Sequence, residues 1–155
     1  MIVYILILVF VIILFQDLKY RGVHWLLFPI LLAASLFFSK ENLSIEIALY
    51  NLGFLLILLL TLTLYLSLRN GKLVIVTKGF FSWGDILFLV AIIPLFDLQT
   101  YMLFFTAGTI LALILHLIAS MLKPQKTLPY AGYMAVAGIL FVVFENSIEK
   151  LTQLI

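Results

Sequence analysis

The chain has no cysteine among its 155 residues, and it is almost as poor in charge. Without thiols there are no disulfides, no thiolate zinc or iron–sulfur sites and no cysteine nucleophile. The absence carries no message about compartment. Only 10% of the residues are charged, against about a quarter in an ordinary soluble domain, while 66% are hydrophobic. Nine basic and seven acidic side chains cannot coat a water-facing surface, which needs roughly 25–35% charge. The net charge of +2 is small and the basic residues are scattered, which excludes a nucleic-acid footprint. The composition is that of an integral membrane protein, a single membrane-embedded domain over residues 1–155.

Helices that cross a bilayer need about 20 apolar residues, with a range of roughly 17–25. Six segments qualify or come close: Met1–Phe15, Val23–Phe38, Ile45–Leu68, one from near Trp83 to Phe96, Leu98–Leu122 and Leu128–Phe144. The first reaches full length only if its helix continues through Gln16, Asp17 and Tyr20. Lacking a positively charged start and a small-residue cleavage site, it reads as a retained helix. The expected fold is all-α and polytopic, with six transmembrane helices and short connecting loops. In the longest connection, Asn70-Gly71 and Gly79 read as turn residues, and Val74–Val76 could pair as a small strand or lie in the interface.

Loop charges set the expected orientation. With six crossings, Lys19, Arg21, Arg69, Lys72, Lys78, Lys123 and Lys126 share one side, and Lys40 and Lys150 the other. Seven against two is a positive-inside asymmetry. It turns the seven toward the cytoplasm and leaves both termini outside. A re-entrant Ile86–Phe96 weakens the split to five against four.

Ionisable groups at or inside a span are costly and are the first functional candidates. Asp17 stands in the last turn of the first helix, where the macrodipole disfavours a carboxylate. Its bland role is an interfacial group paired with Lys19 or Arg21. Asp85 follows Ser82-Trp83-Gly84, and Ser-x-x-Asp before an apolar run is a capping-box pattern. By the charge topology both aspartates fall at one rim on different helices, and Gly79 and Gly84 leave room for a backbone to approach closely. Two carboxylates brought together share a proton. One then serves as general base toward water while the other polarises a carbonyl, which needs neither metal nor cysteine.

Other polar residues fit structural roles. His116 suits a bond inside the bundle, His24 a solvated interface, Asp97 a turn, Lys123 an interfacial anchor, and Glu145 and Glu149 an exposed tail. No HExxH zinc pattern is present. Gly108/Ala112 and Ala131/Ala135 read as close helix-packing faces.

Three stretches resemble the type IV prepilin peptidase family, the bacterial GxGD-type intramembrane aspartyl peptidases. Asp17-Leu-Lys-Tyr-Arg21-Gly-Val23-His24-Trp25 is similar to the family's D-x-x-x-R-x-I-P-N. Gly79-Phe-Phe-Ser82-Trp83-Gly84-Asp85 is similar to its glycine-rich G-x-G-D before a helix. Pro129-Tyr-Ala-Gly-Tyr-Met-Ala135-Val-Ala-Gly138 is similar to P-F-x-P-F-L-A-x-G near the last helix. Ser82 stands at the first glycine of G-x-G-D, His24-Trp25 at Pro-Asn, and Leu87 where many members have lysine.

The resemblance implies an aspartic endopeptidase with Asp17 and Asp85 as catalytic residues and Gly84 beside the substrate backbone. It implies no metal or cofactor. The partners would be the lipid bilayer and a prepilin-like or pseudopilin-like substrate, cut at its basic leader on the cytoplasmic face of the inner membrane. Larger members carry a cysteine-bearing insertion and methylate the new N-terminus, so this chain resembles a peptidase-only core. Three other readings compete: a non-enzymatic scaffold or assembly subunit, a small transporter or channel subunit, and the lipoprotein signal peptidases. The aspartates of that last family lie on the outer side.

Overall fold

A computed structural model describes residues 2–39, 44–73, 81–122 and 127–152, with side chains up to 146. Val74–Val76 and Gly79, and the loop charges Lys40, Lys78, Lys123 and Lys126, lie outside the described residues. Among the described residues the fold is all-helical, with six α-helices: α1 Ile2–Tyr20, α2 Leu27–Ser39, α3 Ile45–Asn70, α4 Trp83–Ala91, α5 Leu98–Leu122 and α6 Tyr130–Thr152. A short 3-10 turn, Ile93–Leu95, extends α4. Three helices, α1, α3 and α5, are long and apolar enough to cross a membrane.

Boundaries follow local chemistry. α1 does continue through Gln16 and Asp17, and it ends where Arg21 turns into the left-handed region at φ 56°. The chain then spends Gly22 to Leu26 in a turn, so α2 starts later than the apolar run beginning at Val23 suggests. Ser44 caps α3 by accepting from the Ile47 amide at 3.2 Å. Gly71 closes the same helix at φ 63°, a conformation that costs glycine least. α4 is short because Pro94 has no amide proton to continue an α-helical ladder. Beyond Phe144, α6 remains helical to Thr152, so the segment expected to be a tail is a helix with Glu145 exposed on it.

Between α4 and α5, Asp97 does more than fill a turn. Its Oδ1 accepts from the Thr100 amide at 2.7 Å and caps α5. Hydrogen bonds from the Thr100 hydroxyl and amide hold the Asp97 carboxyl below its ordinary value. This cap is therefore complete above the ordinary carboxylate value of 3.8 and weakens as pH falls through the lowered one.

The core is built on α1 and α6. One face of α1, Leu6, Val9, Phe10, Ile13 and Asp17, is buried at the three-four spacing of a helix stripe. α6 runs antiparallel against it, with Gly138 on the Phe10 ring and Gly132 on Asp17. At Gly138 an added Cβ would stand 2.8 Å from that ring, so a side chain there would force the Phe10 ring or the helix to shift. α2 and α4 complete a ring of four packed helices with α1 and α6, α5 packs on α6, and α3 rests on α5 and on the 3-10 turn.

At the end of the bundle away from Asp17, the broken end of α4 leaves carbonyls without helical partners. Asn51, fully buried on α3, donates its Nδ2 to the Phe96 carbonyl at 2.8 Å and the Ile93 carbonyl at 3.4 Å. The Tyr101 hydroxyl donates to Leu89 O at 3.1 Å. In lipid such carbonyls have no water to turn to. Replacing Asn51 with Leu is expected to lower thermal stability in detergent by about 1–3 kcal/mol, the usual cost of orphaning buried acceptors.

Candidate functional site

Asp17 and Asp85 are the two buried carboxylates among the described residues, 6% and 7% exposed. They come from different helices and meet at the N-terminus of a third. The Gly132 amide donates to Asp17 Oδ2 at 2.7 Å, and the Ala131 amide donates to Asp85 Oδ1 at 3.1 Å. Successive residues have Cα atoms about 3.8 Å apart, so one turn of α6 holds both carboxylates side by side. Their charges repel one another across this gap.

Each helix end contributes for its own reason. The first amides of α6 have no carbonyl to bond within the helix, and its dipole is positive there. That offsets the unfavourable position of Asp17 at the negative end of α1. Asp85 sits in the first turn of α4, in the capping box that its sequence pattern predicts. Ser82 Oγ accepts from the Asp85 amide at 3.2 Å, and Asp85 Oδ2 accepts from the Ser82 amide at 2.8 Å. Asp85 is thus both a cap and a member of the pair, its two oxygens divided between α4 and α6.

Asp17 is buried, rather than the exposed interfacial group that its place at a helix end suggests. The Lys19 ammonium lies over the Phe15 and Tyr20 rings. The Arg21 guanidinium reaches across the site and donates to Thr127 O at 2.8 Å, tying the end of α1 to the segment that leads into α6. Gln16 Oε1 accepts from the His24 amide at 2.9 Å and fixes the turn beyond. Among the described residues, no group of three or more His, Asp or Glu side chains gathers to hold a metal.

Gly84 lies in the first turn of α4, and a Cβ there would meet Ser82 Oγ at 3.4 Å and Phe28 at 3.6 Å, ordinary contacts. The glycine whose missing side chain matters is Gly132. A Cβ on it would stand 3.0 Å from Asp17 Cβ and 3.1 Å from Oδ2. Sequence reasoning passed over Gly132 as an individual residue, although it lies in the Pro129–Gly138 stretch. The small pairs read as packing faces do pack: Gly108 lies on Met134, and Ala112, Ala131 and Ala135 are buried. Ala131 also carries the amide that binds Asp85.

Tyr130 was also passed over. Its hydroxyl pairs with Thr109 Oγ1 at 2.9 Å, and its ring meets Phe81 edge-on with centroids 5.0 Å apart. It stands between the carboxylates and α5. Because Thr109 is near the middle of α5, that helix passes the site halfway and continues to Leu122. His116, further along α5, buries its Nδ1 without a hydrogen-bond partner among the described residues, contrary to the internal bond its position suggests.

Comparison with protein-family models, curated proteins and solved structures finds no match for this chain. Chemistry has to be read from the site itself. Two close carboxylates on consecutive amides, with Asp17 Oδ1 left uncommitted among the described residues, form an arrangement able to exchange a proton with water or a substrate.

Two glycine variants separate the close approach from the open one. Gly132→Ala is expected to push Asp17 from its amide and cost about 1–3 kcal/mol by overpacking. Gly84→Ala is expected to be neutral or to stabilise by up to about 1 kcal/mol, since Ala is the better helix former. Thermal unfolding of both variants in one detergent checks the contrast.

Proposed function

We propose that this chain is an intramembrane aspartyl endopeptidase that removes basic leaders from prepilin-like or pseudopilin-like proteins. The observation that carries the reading is the binding of Asp17 and Asp85 by consecutive amides of α6. The resemblance of the three sequence stretches supplies the substrate class. In this reading all six helices cross the inner membrane, both termini lie outside, and the site opens toward the cytoplasm. The seven-to-two division of basic residues between loops supports that orientation.

The chemistry follows from a dyad that holds one proton between two carboxylates. The ionised member takes a proton from water, whose oxygen adds to the scissile carbonyl. The protonated member hydrogen-bonds that carbonyl oxygen and stabilises the charge that develops on it. Collapse of the tetrahedral species breaks the carbon–nitrogen bond, and a dyad proton goes to the leaving amine. Asp17, with an oxygen free of the backbone among the described residues, is the better placed to touch the water. Asp85, with both oxygens on amides, is the more firmly oriented.

The capping box gives one specific reason to keep a second reading, a non-enzymatic membrane scaffold or assembly subunit. In that case Asp85 is a helix cap and Asp17 an anchor for α6. Substitution separates the two. Asp17→Asn and Asp85→Asn are each expected to reduce leader removal by about 10²–10⁴-fold at equal membrane abundance, the usual worth of a general acid or base. Cleavage is also expected to follow a bell-shaped pH profile. The scaffold reading predicts instead stability losses of about 1 kcal/mol, the scale of a helix cap, with no activity to lose. Co-expression with a candidate prepilin, scored by the N-terminal mass of the product, reads the outcome.

A further inference from the structure

Helices α1, α2, α4 and α6 close around the two carboxylates, but α3 does not join them. It makes no extensive contact with α1, α2, α4 or α6 and stands against α5. Between α3, α5 and the start of α4 runs a groove of about 580 Å³. Phe54, Leu58, Thr61 and Tyr65 line it along one face of α3, Thr109 faces them from α5, and Phe81 closes the side toward α4. From Phe54 to Tyr65 that face measures roughly 17 Å at 1.5 Å per residue.

The groove is apolar, as any lipid-facing furrow is, and a further feature sets it apart. Its walls are apolar even where the residues are not: the Thr61 hydroxyl donates to Ile57 O at 2.7 Å and the Thr109 hydroxyl to Phe105 O at 2.7 Å, both on their own helices. The further feature is continuity with the site. Thr109 and Phe81, both in its wall, are the two residues that hold Tyr130 by hydroxyl and by ring. The residue after Tyr130 is Ala131, whose amide binds Asp85.

We infer that the groove between α3 and α5 seats the single apolar transmembrane helix of the substrate, with Tyr130 and Phe81 forming the wall between that helix and the carboxylates. The inference rests on the peptidase reading. A substrate cut where a polar leader joins an apolar helix must keep that helix in the bilayer while an extended segment reaches the dyad. The groove provides an apolar track that ends at the dyad's own supporting residues.

The absence of native cysteine allows a direct test. Single cysteines are placed in the groove (Leu58→Cys, Thr61→Cys) and on the opposite face of α3 (Leu56→Cys, Leu60→Cys), in an Asp17→Asn background that retains substrate. Disulfide formation is then measured in membranes with a prepilin-like protein carrying one cysteine in its apolar helix. Separately, Thr61→Trp and Leu60→Trp are made in the active chain and cleavage is timed at matched abundance. The expected result is cross-linking from Leu58 and Thr61 positions but not from Leu56 and Leu60. Cleavage should slow at least tenfold in Thr61→Trp and stay at the parent rate in Leu60→Trp.

Parent cleavage combined with equal cross-linking from both faces overturns the docking site and leaves the peptidase standing. So does groove cross-linking only between two copies of this chain, or labelling of the groove cysteines by a reactive lipid alone. If Thr61→Trp fails to reach the membrane, the cysteine pairs decide by themselves. A parent that cleaves no member of a prepilin panel and cross-links to none overturns both readings together.

Discussion

Everything at the site depends on two backbone amides. Ala131 and Gly132 present their N–H groups at the start of α6, where no carbonyl of the same helix can accept them. Burying such donors in an apolar bundle is costly unless something accepts. Asp17 and Asp85 do so, and in return the helix end supplies what a buried carboxylate lacks, hydrogen bonds and a positive dipole. The same bonds that let the bundle close therefore bring two like charges into one place. Gly132 is the steric condition for this, because α1 and α6 approach there to within 3.0 Å of where a side chain would begin.

The far end of the molecule solves a related problem with different groups. Pro94 breaks α4 before it can reach the length of its neighbours. The freed carbonyls are taken by Asn51 and Tyr101 from the two adjacent long helices. α4 is thus fixed at both ends by side chains and amides from other helices. Its nine α-helical residues would make a marginal helix alone. A short element pinned at both ends is a rigid mount for Asp85.

Much of this was legible in the sequence, and the failures have physical causes. Apolar runs located the six helices found among the described residues, since a long apolar stretch away from water must satisfy its backbone within itself. Asp85 was legible because the capping box writes itself into Ser82 and the residue three places on. Asp17 stood out as a carboxylate at the wrong end of a helix. What no local pattern states is which helix answers which residue. The bond from Gly132 to Asp17 spans 115 positions, and glycine in an apolar segment signals close packing without naming the neighbour. Asn51 and Tyr130 were missed for the same reason: a polar group on an apolar helix becomes meaningful only when its acceptor is seen. The helix ends that slipped, α2 and α6, did so where composition changes gradually and a single left-handed residue or a run of good helix formers decides.

The uneven helix lengths have a consequence for the lipid. α2, whose 13 residues expose Ile30, Leu32, Leu36 and Phe37, rises only about 20 Å, against about 30 Å for a typical hydrocarbon core. α5, with 25 residues, extends roughly 38 Å, and about half of it lies beyond Thr109. With the helices as spans, one flank of the protein is too short for the bilayer and the other too long. In the six-span arrangement proposed above, lipids meeting the short flank would compress, at a fraction of a kcal/mol per Å of mismatch, and their headgroups would be drawn down toward Asp17 and Asp85. In that proposed arrangement the site would owe its contact with water to a dimple in the membrane, and the thickness of the surrounding bilayer would become a variable of the proposed chemistry.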